Sequence, residues 1–327
     1  MKKKITAVIG ILMAVLMIGS AFAYAGEAEN AVYTVGICQL VQHNALDAAT
    51  QGFKDALVEE LGEEHVVFDE QNAAGDSATC ATITAGFAAS EVDLIMANAT
   101  PALQAATSAT NQIPVLGTSV TDYGTALNLK DFSGIVGGNV SGTSDLAPLD
   151  QQAQIIKELF PDAKTVGIMY CSGEANSVYQ ADTIRGFLEE LGYTVDDYTF
   201  ADSNDVAFVT QSACDECDVI FIPTDNTAAS CTSAIDAVAR PTKTPIICGE
   251  ESMCSGCGVA TLTISYYDLG RVTGQMAAKI LKGEENISEM PVQWASEIVK
   301  KYNVEICEDL GIEIPEGYEA IEINTEE

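Results

Sequence analysis

The apolar run in Asp218–Ser230, DVIFIPTDNTAAS, stops at Pro223 and gives way at once to Asp225 and Asn226. Asp, Asn and Thr at such a point satisfy the free N–H groups of a starting helix. They equally suit a ligand anchor, because a carboxylate withdrawn from water needs a cation or several donors. A second stretch, Ala99-Thr100-Pro101-Ala102, has the form of an N-cap Thr followed by Pro at the first helical position. The N–H groups of Ala102 and Leu103, with the Thr100 hydroxyl, would receive a carboxylate, or would simply open a helix. Ser119 and Thr121 add hydroxyl donors nearby. An ammonium on Asp225 and a carboxylate on Thr100 would hold the two ends of a zwitterion. Asn226, Asn176 and Ser172 would bond the rest, and Tyr170, Gln39 and His43 would wall a side-chain pocket.

Catalytic patterns are not found. The chain has no GxSxG elbow, no GxxxxGK[ST] phosphate loop, no HExxH and no GxGxxG, so no catalytic residue and no cofactor is assigned. With two histidines in all, a His-based relay has few candidates, and His43 is read as structural or stacking rather than as a metal ligand. Glu250-Glu251 is read as capping or solvated, not as an acid/base pair. Ten cysteines include CDEC at 214–217 and CSGC at 254–257. Disulfides, a four-thiolate zinc site and free thiols all remain open; the spacing between the two pairs exceeds that of a usual zinc ribbon, and no metal ligand is assigned.

These residues must be positioned by an alternating α/β chain. Strands are expected at Tyr33–Leu40, Val66–Asp69, Val92–Ala97 and Ile113–Gly117, with helices at Leu46–Leu61, Ser77–Ala89 and Pro101–Ala109. Short apolar runs separated by helical patterns indicate parallel sheets with crossover helices. The order then starts again. Val35-Gly36-Ile37 is answered by Val166-Gly167-Ile168, Val92-Asp93-Leu94-Ile95 by Cys217-Asp218-Val219-Ile220, and Ile113-Pro114-Val115 by Thr244-Pro245-Ile246. The expectation is two similar Rossmann-like lobes with a cleft between them, Gly134–Pro148 serving as a hinge. Ligands of open α/β sheets bind beyond the carboxyl ends of the strands, and both opening stretches fall there.

The 327 residues begin with Lys2, Lys3 and Lys4 before an apolar run from Ile5 to Ala25. This is an export leader (1–25), cleaved after Ala25 or, if retained, serving as a single anchor; both place the body outside the cytoplasm. No cysteine is placed to carry a lipid. A formal net charge of −33 repels nucleic acid and anionic membrane surfaces.

Taken together, 35–57 (VGICQLVQHNALDAATQGFKDAL), 97–110 (ANATPALQAATSAT), 137–145 (GGNVSGTSD), 169–177 (MYCSGEANS), 222–230 (IPTDNTAAS), 266–283 (YYDLGRVTGQMAAKILKG) and 309–316 (DLGIEIPE) resemble a known family. It is that of the substrate-binding proteins of ABC importers with the type I periplasmic-binding fold, in the branch serving tryptophan and other aromatic amino acids. The resemblance implies two lobes, 31–145 plus 265–290 and 146–264 plus 291–321, with an acidic tail at 322–327. It also implies three crossovers, a hinged closure, a monomer, and delivery of an amino acid to an ABC permease and its ATPase. Implied site residues are Gln39, His43, Thr100, Ser119 and Asp122 from one lobe and Ser172, Asn176, Asp225 and Asn226 from the other. A sugar or nucleoside receptor is the alternative on the same fold, weakened because the only Trp, Trp294, lies outside the cleft-facing segments. A cysteine-based metal or redox protein is the alternative from another class. Relatives are sparing with cysteine, and Cys38 and Cys171 adjoin proposed pocket positions.

Overall fold

The computed structural model describes residues 31–295 and 297–321; the leader and the acidic tail lie outside the described residues. Five strands build the first sheet in sequence: β1 (Tyr33–Gln39), β2 (Val66–Asn72), β3 (Leu94–Asn98), β4 (Val115–Val120) and β5 (Val140–Ser144). Five more repeat the pattern: β6 (Thr165–Cys171), β7 (Thr194–Phe200), β8 (Val219–Ile222), β9 (Ile246–Cys248) and β10 (Ala260–Thr263). Three short strands complete the chain, β11 (Gln293–Trp294), β12 (Val299–Tyr302) and β13 (Glu319–Ala320). The sheet orders are β11-β5-β4-β3-β1-β2 and β13-β12-β10-β9-β8-β6-β7. Within each, the five repeated strands run in the same spatial order, as duplication requires. Pairing is parallel throughout except between β10 and β12.

The central strands β3, β4 and β8 are buried along their whole length, which is why they read as unbroken apolar runs. In this order the direction of winding reverses between β1 and β3, and again between β6 and β8. Helices on either side of that point diverge, leaving a crevice at the carboxyl ends. Those ends carry Gln39 and Asn98 in one lobe and Cys171 and Ile222 in the other.

Two boundaries differ from expectation. Gly134–Pro148 is not hinge throughout, since Val140–Ser144 is a fully buried strand paired with β4; the crossing narrows to the residues after Ser144. The return at Pro291 comes later, because Gln293 and Trp294 pair with Thr143 and Ser144 in the first sheet. Edge pairing outweighs the break that Pro291 suggests.

After β10 the chain recrosses to the first lobe in the helix Tyr266–Leu281, which lies on the helix Asn44–Leu61. Glycine makes that crossing close. A Cβ on Gly52 would stand 2.0 Å from the Tyr267 carbonyl oxygen, and one on Gly270 2.0 Å from that of Ala49. Gly52→Ala must therefore part the two helices, costing about 1–3 kcal/mol. Gly86→Ala, with nothing within 4 Å of its new Cβ in the helix Ser77–Ala89, gains about 0.5–1 kcal/mol. Urea midpoints of the two variants should move in opposite directions.

Candidate ligand site between the lobes

The strand ends meet around a small cavity. The first lobe contributes His43, Leu46, Ser119 and Thr121, and the second Asn176, Thr224, Asp225, Asn226, Ala229 and Glu250. Asp145 and Tyr266, at the first two crossings, complete the wall. The lobes touch across it. His43 Nε2 lies 3.3 Å from Asn226 Oδ1, and Gln180 Nε2 donates to Thr121 Oγ1 at 3.4 Å. Asn226 Nδ2 is committed to Glu174 at 2.7 Å, so its Oδ1 faces the imidazole and His43 Nε2 is the donor. Burial lowers the His43 pKa, leaving a neutral ring whose Nδ1 has no partner.

Asp225 is both a helix cap and part of the cavity wall. It caps the helix Asn226–Ala229, with Oδ1 accepting from Ala228 N at 2.8 Å, and Oδ2 accepts from Cys171 N at 2.7 Å. It is also buried on the cavity wall, 1% exposed. Burial, reinforced by the charge of Glu174, pushes its carboxyl up to about 7. Glu250 is the counterpart on the next strand end. It caps the helix Glu251–Cys257 through Ser252 N and Met253 N, in line with the capping reading, but it is buried rather than solvated. Burial pushes it, too, up to about 7. Asp145 accepts from Thr121 Oγ1 at 3.1 Å and Tyr266 Oη at 2.8 Å, and burial raises its pKa. Among the described residues none of these three carboxylates forms an ion pair; Glu251 takes Lys301 instead.

The first lobe supplies hydroxyls on strained backbone. Ala99 and Ser119, at the ends of adjacent strands, hold φ of 88° and 54°, a conformation costing a non-glycine residue on the order of 1–3 kcal/mol. At Ser119 the β4–β5 register shifts. Its Oγ is buried without a partner, as are Thr100 Oγ1 and Asn176 Oδ1.

Of the sequence-expected residues, His43, Ser119, Asn176, Asp225 and Asn226 line the cavity; five do not. Gln39 is consumed within its own lobe by Asp47, Val41 and Thr50. Asp122 caps the helix Tyr123–Ala126 through Thr125 N. Tyr170 packs in the second lobe's core, where the strand's alternation directs it. Ser172 donates to Phe200 O at 3.2 Å. Thr100 is not the cap: Ala99 is, and Thr100 is the first helical residue. Leu103 N is also engaged, bonded to Ala99 O, so that helix start offers fewer free donors than expected. Asp145 and Tyr266 are not singled out by sequence reasoning, and Glu250 is read there only as a cap or solvated; the "GTSD" and "YYDLG" stretches are the available signal. All ten cysteines are unbonded thiols, and among the described residues no three His, Cys, Asp or Glu side chains gather to hold a metal.

A family model described as ABC transporter substrate binding protein matches residues 34–322. A tyrosine-binding protein of Clostridioides difficile (strain R20291) is 37% identical over 261 residues, spanning 79% of this chain and 75% of the relative. The solved structure of an ABC domain in complex with L-Trp from Streptococcus pneumonia is 34% identical, with a TM-score of 0.84 over 89% of this chain and 100% of that one. A ligand-free, open substrate-binding protein with adhesive properties from Clostridium difficile is 37% identical, with a TM-score of 0.68 over 89% of this chain and 99% of that one. The overlay with the tryptophan complex is better than with the open protein, although the latter is nearer in sequence, and the His43–Asn226 and Gln180–Thr121 contacts join the two lobes across the cavity. At 16% identity, the solute-binding protein of a 5-methylthioribose transporter from Thermotoga lettingae has a TM-score of 0.60, a likeness of fold alone.

The raised carboxyls have a measurable sign. Glu250 lies at about 7 in the fold against an ordinary 4.5, so between these values the folded chain holds the extra proton. Its contribution to stability is full below about 4.5 and is lost as the pH rises through about 7. Glu250→Gln, which can still accept one capping bond, should show a shallower loss of stability over that window than the parent. Urea titrations at pH 5 and pH 8 read the difference.

Proposed function

The chain belongs to the ABC transporter substrate-binding proteins, and from that premise we propose that it captures an aromatic amino acid, as a zwitterion, between its lobes. The observation that carries this reading is the set of three buried carboxylates on one cavity, with no basic side chain paired to any of them. Such groups favour a cationic guest, because an ammonium restores in the interior the stabilisation that burial removed. Asp225 provides the charge, and the unpaired Asn176 Oδ1 provides a further acceptor. The unpaired hydroxyl of Ser119 serves the carboxylate. His43, Leu46 and Tyr266 offer faces to the side chain. A tyrosine-binding relative and a tryptophan-bound one support the aromatic class. Trp294, the residue a sugar ring would be expected to stack on, is 53% exposed and off the cavity.

In this reading residues 1–25 are an export leader, and the monomeric body acts outside the cytoplasm, handing its amino acid to the permease of an ATP-driven importer. Among the described residues no helix is long and apolar enough to cross a membrane. Catalysis has no part in the cycle: binding closes the lobes, and docking opens them.

Calorimetry of residues 26–327 against the twenty amino acids tests the proposal. Tryptophan, tyrosine or phenylalanine should bind, while N-acetyltryptophan and tryptophanamide, each lacking one charge, should bind far more weakly. Asp225→Asn should cost about 2–5 kcal/mol of binding with the fold retained. Tight binding of a sugar with none of an aromatic amino acid overturns the reading.

A further inference from the structure

The cavity wall contains a contact between the lobes that needs no ligand. Gln180, on the helix Ala175–Glu190 of the second lobe, is 2% exposed. Its amide pairs with the backbone of Thr224 in both directions: Oε1 accepts from Thr224 N at 3.2 Å, and Nε2 donates to Thr224 O at 3.2 Å. This two-point pairing with one residue's backbone fixes the orientation of the amide, since the flipped form would set donor against donor and acceptor against acceptor. With the NH₂ so aimed, Nε2 also donates to Asn176 O of its own helix at 3.2 Å and reaches Thr121 Oγ1 of the first lobe at 3.4 Å, its two protons shared among three acceptors. Thr121 can accept this bond only by sending its own proton elsewhere, and it sends it to Asp145 Oδ1 at 3.1 Å. Asp145 in turn accepts from Tyr266 Oη. The chain of bonds therefore runs from the Thr224 turn, through Gln180 and Thr121, to Asp145 at the first crossing, where Tyr266 joins it from the second. Every member except Thr224 is buried below one-tenth exposure.

Deepening the function proposed above and resting on it, we propose that Gln180 is a positioning residue that latches the closed state, holding the Thr224-Asp225 turn in place and the two lobes together. It touches the first lobe only when the cleft is shut, so it sets how often the unliganded protein is closed. A shift in that population changes the apparent affinity for all ligands of the closed form by one common factor. Selectivity among them is left to the residues that meet the side chain.

Thr121→Val removes the acceptor with little change of shape and leaves the Thr224 turn alone. Gln180→Glu keeps the acceptor for Thr224 N–H but loses the donor to Thr121 when ionised, and regains one on protonation. Small-angle scattering of the unliganded proteins is the primary measurement. Both variants should be more open than the parent at pH 8, and Gln180→Glu should close again on acidification while Thr121→Val does not. For ligands, both variants should weaken tryptophan, tyrosine and phenylalanine by the same factor, about threefold to tenfold for one net hydrogen bond. Unliganded variants that scatter like the parent at both pH values overturn the latch, whatever the ligand proves to be. Loss of affinity that differs from one aromatic amino acid to another overturns it as well, by making these residues selectors of the side chain. Failure of the parent to bind any amino acid removes the proposed ligand class and leaves the scattering test standing. Thermal melts guard against misfolding, and either variant alone suffices for the scattering comparison.

Discussion

A carboxylate taken out of water is the costliest ordinary thing a protein interior can hold, and this fold gathers several of them at one place. Asp225 and Glu250 are tolerated there because each caps a short helix, so that backbone N–H groups face their oxygens. Asp145 is tolerated because two hydroxyls serve it. None of these arrangements supplies positive charge. Donors from a helix start satisfy the oxygens as hydrogen-bond acceptors yet leave the negative charge largely uncompensated, which is why the two capping carboxyls stand near neutrality rather than far below it. The same residue thus closes a local account of hydrogen bonds and holds open an electrostatic one.

Placing that charge depends on the duplication. Two sheets with the same winding order present two crevices, and the crossings set them face to face. The order of strands brings Asp225 and Asn226 to the end of one crevice, and His43 and Ser119 to the other. The backbone strain at Ala99 and Ser119 falls where the first sheet stops, and at Ser119 it turns a hydroxyl toward the cavity. A family of solute receptors that open and shut requires such a seam, rigid on each side and continuous only at its crossings.

Much of this is legible from residue types. The strands of the first lobe are readable because their apolar runs are buried on both faces, and the second lobe because it repeats them. Asp225, Asn226, Asn176, His43 and Ser119 are reachable by inspecting the residues just past each strand. The failures have physical reasons. Tyr170 and Gln39 sit on strands near the right end, but alternation and local donors turn them inward, which position along the chain does not reveal. Thr100 carries the pattern of a cap, yet the backbone takes its left-handed turn one residue earlier, at an alanine, where no propensity would place it. Glu250 reads correctly as a cap, but its burial is hidden because a neighbouring carboxylate, Glu251, goes to Lys301 at the surface. Tyr266 reaches its partner Asp145 across more than a hundred residues of chain, Gln180 reaches Thr121 across about half that, and nothing local announces either.

The helix Tyr266–Leu281 and strand β11 complete the first lobe although they are encoded after the second. Met276, Ala277 and Ala278 pack into the same core as Val35, Ile37 and Phe53, and β11 forms the edge of the sheet that β1 began. A nascent polypeptide that has reached only Ser144 therefore holds a sheet with one flank bare. That lobe waits on Trp294, while the second lobe in turn waits on β12 and β13. Neither half is a single contiguous stretch of chain, and each is complete only after part of the other has been made.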